Sequence, residues 1–157
     1  MKIIFPETKL VNVPNALVDE EDYSHLCRFR WNVTKKKNGY DFYYHTRIDG
    51  KWVRMTHLIL PYATQVDHIN HDTCDNRRQN LRVCNTKLNS ANRIKRKGTS
   101  QFKGVHWSKK DNIWRTCIKV DGKTINLGMF RDQKKAAIAY NKAALMHFGN
   151  FANLNDI

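Results

Sequence analysis

The stretch from Val66 to Arg93 constrains the fold of this chain more than any other. Its first four residues and residues 81–84 each alternate apolar and polar side chains, which is typical of half-buried strands. Residues 70–80, between them, are rich in Asn and Asp, which hydrogen-bond their own backbone and favour loops. Asn85 is a good N-cap for a helix over residues 86–93. The stretch therefore predicts a strand, a polar loop, a second strand and a helix.

This predicted order brings oxygen and nitrogen donors together. A hairpin folded back against a helix would place Asp67 and His68, on the first strand, near Asn89 in the first turns of the helix. Carboxylate and amide oxygens are hard donors suited to Mg²⁺, Mn²⁺ or Ca²⁺. An imidazole that is neutral near pH 7 accepts a proton from water. The pattern indicates a site that activates water while a cation holds a phosphate, as in nucleases. The same residues taken singly are also common turn formers and surface groups.

The stretch resembles the ββα-metal motif of HNH endonucleases, especially the phage and intron-encoded homing type. The motifs that carry the resemblance stand in the same order as in the family: Asp67-His68, Asp75-Asn76-Arg77, Asn80-Leu81-Arg82 and Asn89. The resemblance implies that Asp67 and Asn89 ligate one divalent metal, Mg²⁺ or Mn²⁺, with His68 as general base. It also implies that Asn80 braces the loop and orients His68. His71 departs from the pattern, because the family often has Gly there and His adopts a positive φ less readily.

The net charge predicts a polyanion as the partner. The chain of 157 residues carries 28 Lys and Arg against 14 Asp and Glu, a formal charge of +14. Such a balance is typical of proteins that bind nucleic acid. Residues 1–66 hold 10 basic against 7 acidic side chains, whereas residues 67–157 hold 18 against 7. The positive charge is therefore concentrated on the motif and on everything after it.

The spacing of the cysteines and the hydropathy narrow the class of protein and its cellular compartment further. Cys27, Cys74, Cys84 and Cys117 show no CxxC spacing, so we expect no zinc and interpret them as thiols of a reducing compartment. No apolar run approaches the ~20 residues of a membrane span. The apolar start is too short for a signal peptide. We expect a cytosolic protein without a membrane partner, and the resemblance implies the cytoplasm of a phage-infected or bacterial host cell.

The N-terminal region predicts mainly strands. After a short strand over residues 2–5, the acidic cluster 19–22 would either cap a helix over residues 24–27 or form a solvated turn. A three-stranded antiparallel meander is predicted next, with Asp49-Gly50 as one hairpin turn, over residues 30–33, 40–47 and 51–55. Residues 56–60 predict a short helix or strand, in which His57 is expected to be structural. The basic side chains of the meander would either contact DNA phosphates or form soluble surface: Lys35, Lys36, Lys37, Arg47, Lys51 and Arg54.

Residues 94–100 have the composition of a basic linker, whose Lys95, Arg96 and Lys97 would follow a phosphate backbone. Beyond it, three strands are predicted over residues 102–107, 113–120 and 123–130. A helix follows with Asp132 as N-cap, and Gly149 ends it.

Alternation in the second of these strands separates two faces. It sends Trp114, Thr116, Ile118 and Val120 one way, and Arg115, Cys117 and Lys119 the other. One face must cover the helix, while a basic outer face with flat aromatic side chains suits DNA. A sheet of this width can enter the major groove.

This second module resembles the plant-type apetala-2/ethylene-response-factor DNA-binding domain, which occurs fused to phage HNH endonucleases. The matching residues span nearly all of it: Phe102-Lys103-Gly104-Val105, Trp107, Trp114, Ile118, Leu127-Gly128-Met129-Phe130, Ala136-Ala137-Ala139-Tyr140, Ala143-Ala144 and Gly149 through Asn153-Leu154-Asn155. The resemblance implies that the sheet reads the major groove through Lys103, His106, Trp107, Lys109, Trp114, Arg115, Lys119 and Lys123. Lys103 and His106 stand where plant members usually carry Arg, so the plant target sequence is not expected to apply. Core packing is the alternative role for both tryptophans.

The sequence thus predicts an α+β fold with an N-terminal antiparallel sheet leading into the ββα-metal motif, then a small three-stranded sheet packed on one helix. The nuclease domain would span residues 1–93 with its motif at 66–93, the linker 94–100 and the DNA-binding domain 101–157. The leading interpretation is an HNH-type endonuclease on double-stranded DNA, with Arg82 and Arg93 as further DNA contacts. One motif cuts one strand, so a monomer would nick. A DNA-binding regulator with a degenerate motif and an RNA-binding module are the alternatives.

Overall fold

The computed structural model describes residues 1–4, 14–35, 41–94 and 98–157. Predictions for Phe5, Lys36, Lys37 and the linker residues Lys95, Arg96 and Lys97 fall outside these ranges. The described chain forms two compact units, Met1–Asn85 and Thr86–Ile157. The boundary between the two units therefore falls between residues 85 and 86 of the sequence, whereas the predicted linker begins at residue 94. Within the described ranges, helices and four small antiparallel sheets make up an α+β architecture.

The first unit begins with a strand pair and a helix. Strand β1 (Lys2–Ile4) pairs antiparallel with β2 (Ala16–Val18), and helix α1 (Glu20–Leu26) follows. The helix begins at Glu20, earlier than predicted, because the acidic cluster forms its first turn. Carboxylates are stabilising there, where the helix dipole is positive. Strand β2 was not predicted.

The predicted meander is confirmed, and a short helix leads out of it. Strands β3 (Asn32–Lys35), β4 (Phe42–Ile48) and β5 (Lys51–Arg54) form an antiparallel sheet in the order β3-β4-β5. The Asp49-Gly50 turn between β4 and β5 has positive φ at both residues, as tight hairpins require. Residues Met55–Ile59 form helix α2, one of the two predicted alternatives.

The core of the first unit draws on all of these elements except β5. The indole Nε1 of Trp31 donates to the carbonyl of Leu26 at 2.9 Å, so this buried polar group is satisfied. The other buried core side chains come from β1, β2, α1, β3, β4 and α2, from the turn after α2, and from the strand that follows the polar loop: Ile4, Ala16, Val18, Leu26, Val33, Tyr44, Met55, Ile59, Leu60, Ala63 and Leu81. Because Leu81 belongs to this core, the strand that follows the polar loop is packed against the rest of the first unit.

The polar loop lies between two short paired strands. Strand β6 (Gln65–His68) pairs antiparallel with β7 (Leu81–Cys84), and a 3₁₀ turn (Arg78–Asn80) leads into β7. The two strands were predicted at residues 66–69 and 81–84, so the second is confirmed residue for residue and the first is shifted by one.

The second unit contains a short helix, a three-stranded sheet and a long helix. Its elements are α3 (Thr86–Ala91), β8 (Val105–Ser108), β9 (Ile113–Val120), β10 (Lys123–Phe130), α4 (Gln133–Phe148) and a final 3₁₀ turn (Gly149–Phe151). The sheet order is β10-β9-β8, antiparallel throughout. The predicted caps of α4 are confirmed: Asp132 Oδ1 accepts from the amide of Lys135 at 2.9 Å, and Gly149 ends the helix with φ of 51°.

Helix α4 covers one face of this sheet. Thr116 and Ile118 are buried on that face, and the hydroxyl of Thr116 donates to the carbonyl of Ala136 at 3.3 Å. Arg115 and Lys119 point the other way and are exposed. The predicted division of the second strand into a helix-covering face and a basic outer face is confirmed.

Candidate active site

Asp67 and His68 end strand β6 and are both buried, each with 8 % of its surface exposed. Pairing with β7 holds their backbone, because Asp67 lies opposite Arg82 and His68 lies opposite Leu81. A carboxylate and an imidazole thus occupy consecutive, largely buried positions of one strand. Buried ionisable groups of this kind are typical of functional sites.

The carboxylate of Asp67 is paired with Arg82. Both Nε and Nη2 of the guanidinium donate to Oδ2 of Asp67, at 2.9 and 2.7 Å. The cross-strand register brings the two residues together, since directly opposed side chains lie on the same face of a sheet. Arg82 was predicted as a DNA contact; the structure instead places its guanidinium on the predicted metal ligand.

The imidazole of His68 is held by Asn76, a residue to which the sequence argument gave no role of its own. The carboxamide Oδ1 of Asn76 lies 3.3 Å from His68 Nε2, and only 2 % of Asn76 is exposed. The Nδ2 of Asn76 faces the carbonyls of Thr73 and Cys74 at 3.4 and 3.3 Å, so the amide nitrogen donates there and Oδ1 faces the ring. An acceptor at Nε2 places the proton on Nε2 and the lone pair of the neutral ring on Nδ1.

Asn80 ties the two ends of the polar loop together. Its Oδ1 accepts from the amide of Asn70 at 3.0 Å, and its Nδ2 donates to the carbonyl of Asp75 at 2.8 Å. Its own carbonyl accepts from the amide of Ile69 at 2.9 Å. Asn80 therefore supports the position of His68 through the loop, whereas Asn76 contacts the ring directly.

Asp75 stabilises the same loop from inside. Its carboxylate accepts from Nε and Nη2 of Arg77, both at 2.7 Å, and from Nδ2 of Asn70 at 3.3 Å. These hydrogen bonds hold the pKa of Asp75 below its usual range, with the bond from Arg77 as the largest cause. The amide of Leu17 donates to the carbonyl of Cys74, and the carbonyl of Leu17 accepts from the amide of Asn76, both at 2.8 Å. Strand β2, which contains Leu17, is thus hydrogen-bonded to the loop through its backbone.

His71 adopts the left-handed conformation, with φ of 66°. This is the position at which the sequence departs from the HNH pattern by carrying His in place of the frequent Gly. The backbone conformation that favours Gly is therefore present although the side chain is not Gly.

Burial lowers the pKa of His68 below its ordinary value of 6.5. Desolvation is the largest cause and outweighs the contact with Asn76 and the negative charges of Asp67, Asp72 and Asp75, which all raise the pKa. The imidazole is consequently neutral near pH 7, the form that a general base requires.

Asn89, the other predicted metal ligand, lies on α3, which belongs to the second unit and leaves the side chain half-buried. Joint ligation of one metal by Asp67 and Asn89 stays a prediction. Arg93, a predicted DNA contact, is exposed just beyond the end of the same helix.

A second group of carboxylates in the first unit, Asp19, Glu21 and Asp22, binds an arginine. Arg78 donates from Nη2 and Nε to the two oxygens of Asp22 at 2.6 and 2.8 Å, and its Nε lies 2.8 Å from Glu21 Oε1. The amide of Arg78 donates to Asp19 Oδ2 at 2.7 Å. These contacts join α1 to the 3₁₀ turn before β7 and account for the acidic cluster.

Lys103, a predicted DNA contact, is hydrogen-bonded within the second unit. Its Nζ donates to the carbonyls of Ala91 and Arg93 at 2.5 and 2.8 Å, at the end of α3. A lysine ammonium is stabilising at the carboxyl end of a helix, where the carbonyls lack helical partners. Burial lowers the pKa of Lys103 to about 8. Lys103 therefore joins α3 to the sheet of the second unit.

The two tryptophans of the second unit pack against each other on the α4 side of the sheet. Trp107 lies opposite Trp114 in the register, with ring centroids 4.9 Å apart, and Trp114 packs against the cluster of Phe102 and Val105. This placement favours the packing role over DNA contact. The remaining predicted contacts of this unit are exposed: His106, Lys109, Arg115, Lys119 and Lys123.

Among those exposed residues, His106 and Arg115 are opposed in the register and share the outer face of the sheet. Arg115 also donates to Asp111 Oδ2 at 2.7 Å. The ion pair leaves Arg115 at the surface, where it is accessible to a phosphate or a base edge.

Comparison with known proteins gives two relatives. The chain is 28 % identical over 152 residues to a protein of Acanthamoeba polyphaga mimivirus named "Uncharacterized HNH endonuclease L560", covering 90 % of this chain and 75 % of that protein. It is 34 % identical over 68 residues to "Protein 3.8" of Escherichia phage T7, covering 43 % of this chain and 56 % of that protein. No protein-family model matches the chain, and no solved structure matches it.

No helix in the described part of the chain is both long and apolar enough to cross a membrane.

Proposed function

We propose that this chain is a DNA endonuclease of the HNH type, with Asp67 and His68 at its reaction centre. The observation that carries the proposal is the buried Asp67–His68 pair, with His68 Nε2 held by Asn76 so that Nδ1 carries the lone pair. Similarity to a viral protein named HNH endonuclease supports the same assignment.

In this proposal His68 is the general base. Its Nδ1 accepts a proton from a water molecule, the water oxygen bonds to the scissile phosphorus, and the bond from phosphorus to the 3′-oxygen breaks. Asn76 keeps the ring in the required tautomer, because a proton on Nε2 leaves Nδ1 as the acceptor. Asn80 and Asp75 keep the loop rigid, so that the ring is positioned before substrate binds.

Asp67 has the chemistry of a ligand for a hard divalent cation, and Asn89 would supply an amide oxygen as the resemblance implies. A cation at Asp67 would meet the guanidinium of Arg82, which already occupies Oδ2. Arg82 would therefore have to share or leave the carboxylate as Mg²⁺ or Mn²⁺ binds, because like charges repel strongly at short range. The bound cation would stabilise negative charge on the phosphate and the leaving oxygen.

Duplex DNA would be bound by the second unit, through the outer face of its sheet. That face presents His106, Arg115 and Lys119, away from the helix that covers the other side. A three-stranded sheet with basic side chains suits the major groove. We further propose a homing-type enzyme that acts as a monomer.

Metal-dependent nicking of a supercoiled plasmid tests the proposal. With Mg²⁺ or Mn²⁺ the full chain is expected to convert supercoiled plasmid into open circles, and a chelator is expected to abolish the conversion. Linear product would indicate cutting of both strands. Intact plasmid that is nevertheless bound, with every divalent metal tried, would contradict the proposal and favour a DNA-binding regulator.

The cleavage rate should depend on pH with a midpoint below the ordinary His value of 6.5. Burial disfavours the imidazolium form of His68, so the reactive neutral form persists to lower pH and activity is lost only below that pKa. Initial nicking rates measured from about pH 8 to about pH 5 would show this. A midpoint clearly above 6.5 would contradict the assignment of His68 as a desolvated base.

A further inference from the structure

The sheet β3-β4-β5 has an outer face that the active site does not use. Register pairs His45 with Arg54 and Arg47 with Trp52, and directly opposed residues share a face. The alternate residues of these strands, such as Tyr44, point into the core. In this subsection the outer face is the solvent side of the sheet β3-β4-β5. It consists of Asn32, Thr34, Tyr43, His45, Arg47, Trp52 and Arg54. Two are guanidinium groups, and none is a carboxylate.

Aromatic rings and cations alternate across this outer face. The rings of His45 and Trp52 are in edge contact, with centroids 4.8 Å apart and planes at 78°. The guanidinium of Arg54 lies over the ring of Tyr43, 4.8 Å from its centroid. Arg47 donates from Nε to the carbonyl of Gly50 at 3.2 Å, which holds its guanidinium beside the β4–β5 turn. The cations are therefore placed on either side of the aromatic pair.

Trp52 is the feature that identifies the partner. The residue belongs to a strand that is paired with β4, and yet 62 % of it is exposed. An exposed indole offers a flat aromatic face on which a planar ligand can stack. Its contact with His45 fixes its position, so little conformational entropy is lost when a flat ligand stacks on it.

We propose that the outer face of the sheet β3-β4-β5 binds single-stranded DNA, with an unpaired base stacked on Trp52 and the flanking phosphates on Arg47 and Arg54. Nucleobases stack on exposed aromatic side chains only when they are unpaired, whereas bases in a duplex already have stacking partners on both sides. Positive charge beside the aromatic platform follows the backbone and matches the absence of carboxylates on this face.

This binding surface is separate from the Asp67–His68 pair and goes beyond the cleavage reaction. It depends on the proposed function only for the choice of DNA over RNA. A second surface that binds an unpaired strand would keep the endonuclease on DNA in which one strand is locally open, such as DNA with a displaced strand.

Binding of a short oligonucleotide to the full chain tests the proposal. The probe is a fluorescein-labelled deoxythymidine oligomer of about ten nucleotides, a length within the usual single-strand site sizes, and anisotropy is measured in chelator so that no cleavage occurs. Trp52→Ala is expected to weaken binding about tenfold, the size typical of losing one stacked base. Trp52→Phe is expected to restore most of the affinity, because it keeps an aromatic face.

Tyr62→Ala is the matched control, since Tyr62 is an aromatic residue of the same unit with 75 % exposure that lies outside the outer face. It should leave oligomer binding unchanged, and Trp52→Ala should leave binding of a duplex of the same length unchanged. Circular dichroism checks that each variant is folded. If Trp52→Ala loses its fold, the double variant Arg47→Gln with Arg54→Gln replaces it and is expected to weaken oligomer binding several-fold.

Equal affinity of wild type and Trp52→Ala for the oligomer would overturn the proposal. Equal weakening of duplex and single strand would also overturn it, as would tighter binding of the matching RNA oligomer. Plasmid nicking is measured separately on the same variants. Retained oligomer binding without nicking activity would speak against the endonuclease and leave this binding surface standing.

Discussion

Replacing His68 with Ala is expected to lower the rate of DNA cleavage by about 10²–10⁴-fold, the range typical of losing a general base. The expected loss is large because the ring is buried, neutral and oriented by Asn76, and another group would have to accept the proton in its absence. DNA affinity should change little, since the proposed duplex contacts lie on the second unit. Nicking rates and binding by gel shift, measured side by side, separate the two effects.

His57→Ala is the matched control for this experiment. His57 is another partly buried histidine of the same unit, on α2, and its Nδ1 lies 3.3 Å from Thr56 Oγ1. We expect it to retain nearly the full cleavage rate. If His57→Ala removed activity as completely as His68→Ala, or if His68→Ala cleaved at the wild-type rate, the assignment of His68 would have to be abandoned.

Replacing Gly104 with Ala is expected to destabilise the second unit by about 3 kcal/mol or more, by adding steric overlap to backbone strain. Gly104 has φ of 75°, and a methyl group there would lie 2.0 Å from Cδ2 of Tyr140 and 2.8 Å from the carbonyl oxygen of Cys117. Neither neighbour can move easily, because Tyr140 is buried under the sheet and the amide of Cys117 donates to Gly104 at 2.9 Å. Urea unfolding followed by near-ultraviolet circular dichroism would measure the loss.

Gly122→Ala is the control that separates strain from overlap. Gly122 has φ of 80°, but a methyl group there would meet nothing within 4 Å. It should therefore cost only the left-handed strain, about 1 kcal/mol. Similar losses for the two variants would show that the close contact with Tyr140 does not exist in solution.

The local elements of this fold were largely readable from the residues. Alternating side chains predicted β9, whose bounds agree with the structure, and the Asp-Gly pair at residues 49–50 predicted its hairpin. Asp132 and Gly149 predicted the two ends of α4. Such signals are reliable because a strand, a tight turn or a helix cap depends on residues within a few positions of one another.

The site was readable in part. Asp67, His68 and Asn80 were selected as a group, and the structure places them at β6 and at the loop that β6 and β7 enclose. The roles of Asn76 and Arg82 were not foreseen, although both lay within the matched motifs. Whether a buried amide faces a ring, or a guanidinium faces a carboxylate, depends on side-chain direction, which motif spacing does not specify.

The strands of the two three-stranded sheets, the Asp49-Gly50 turn and the caps of α4 therefore followed from the residues themselves, because short-range backbone preferences decide them. Only the tertiary structure showed Arg78 on the acidic cluster of α1, 56 positions away from Asp22. It alone showed Lys103 capping α3 and Arg82 paired with Asp67. The sequence alone would also have allowed each of these cations to bind a phosphate. Packing decides the partner of each cation, because a charged group bonds to the groups that the folded chain brings within hydrogen-bond distance.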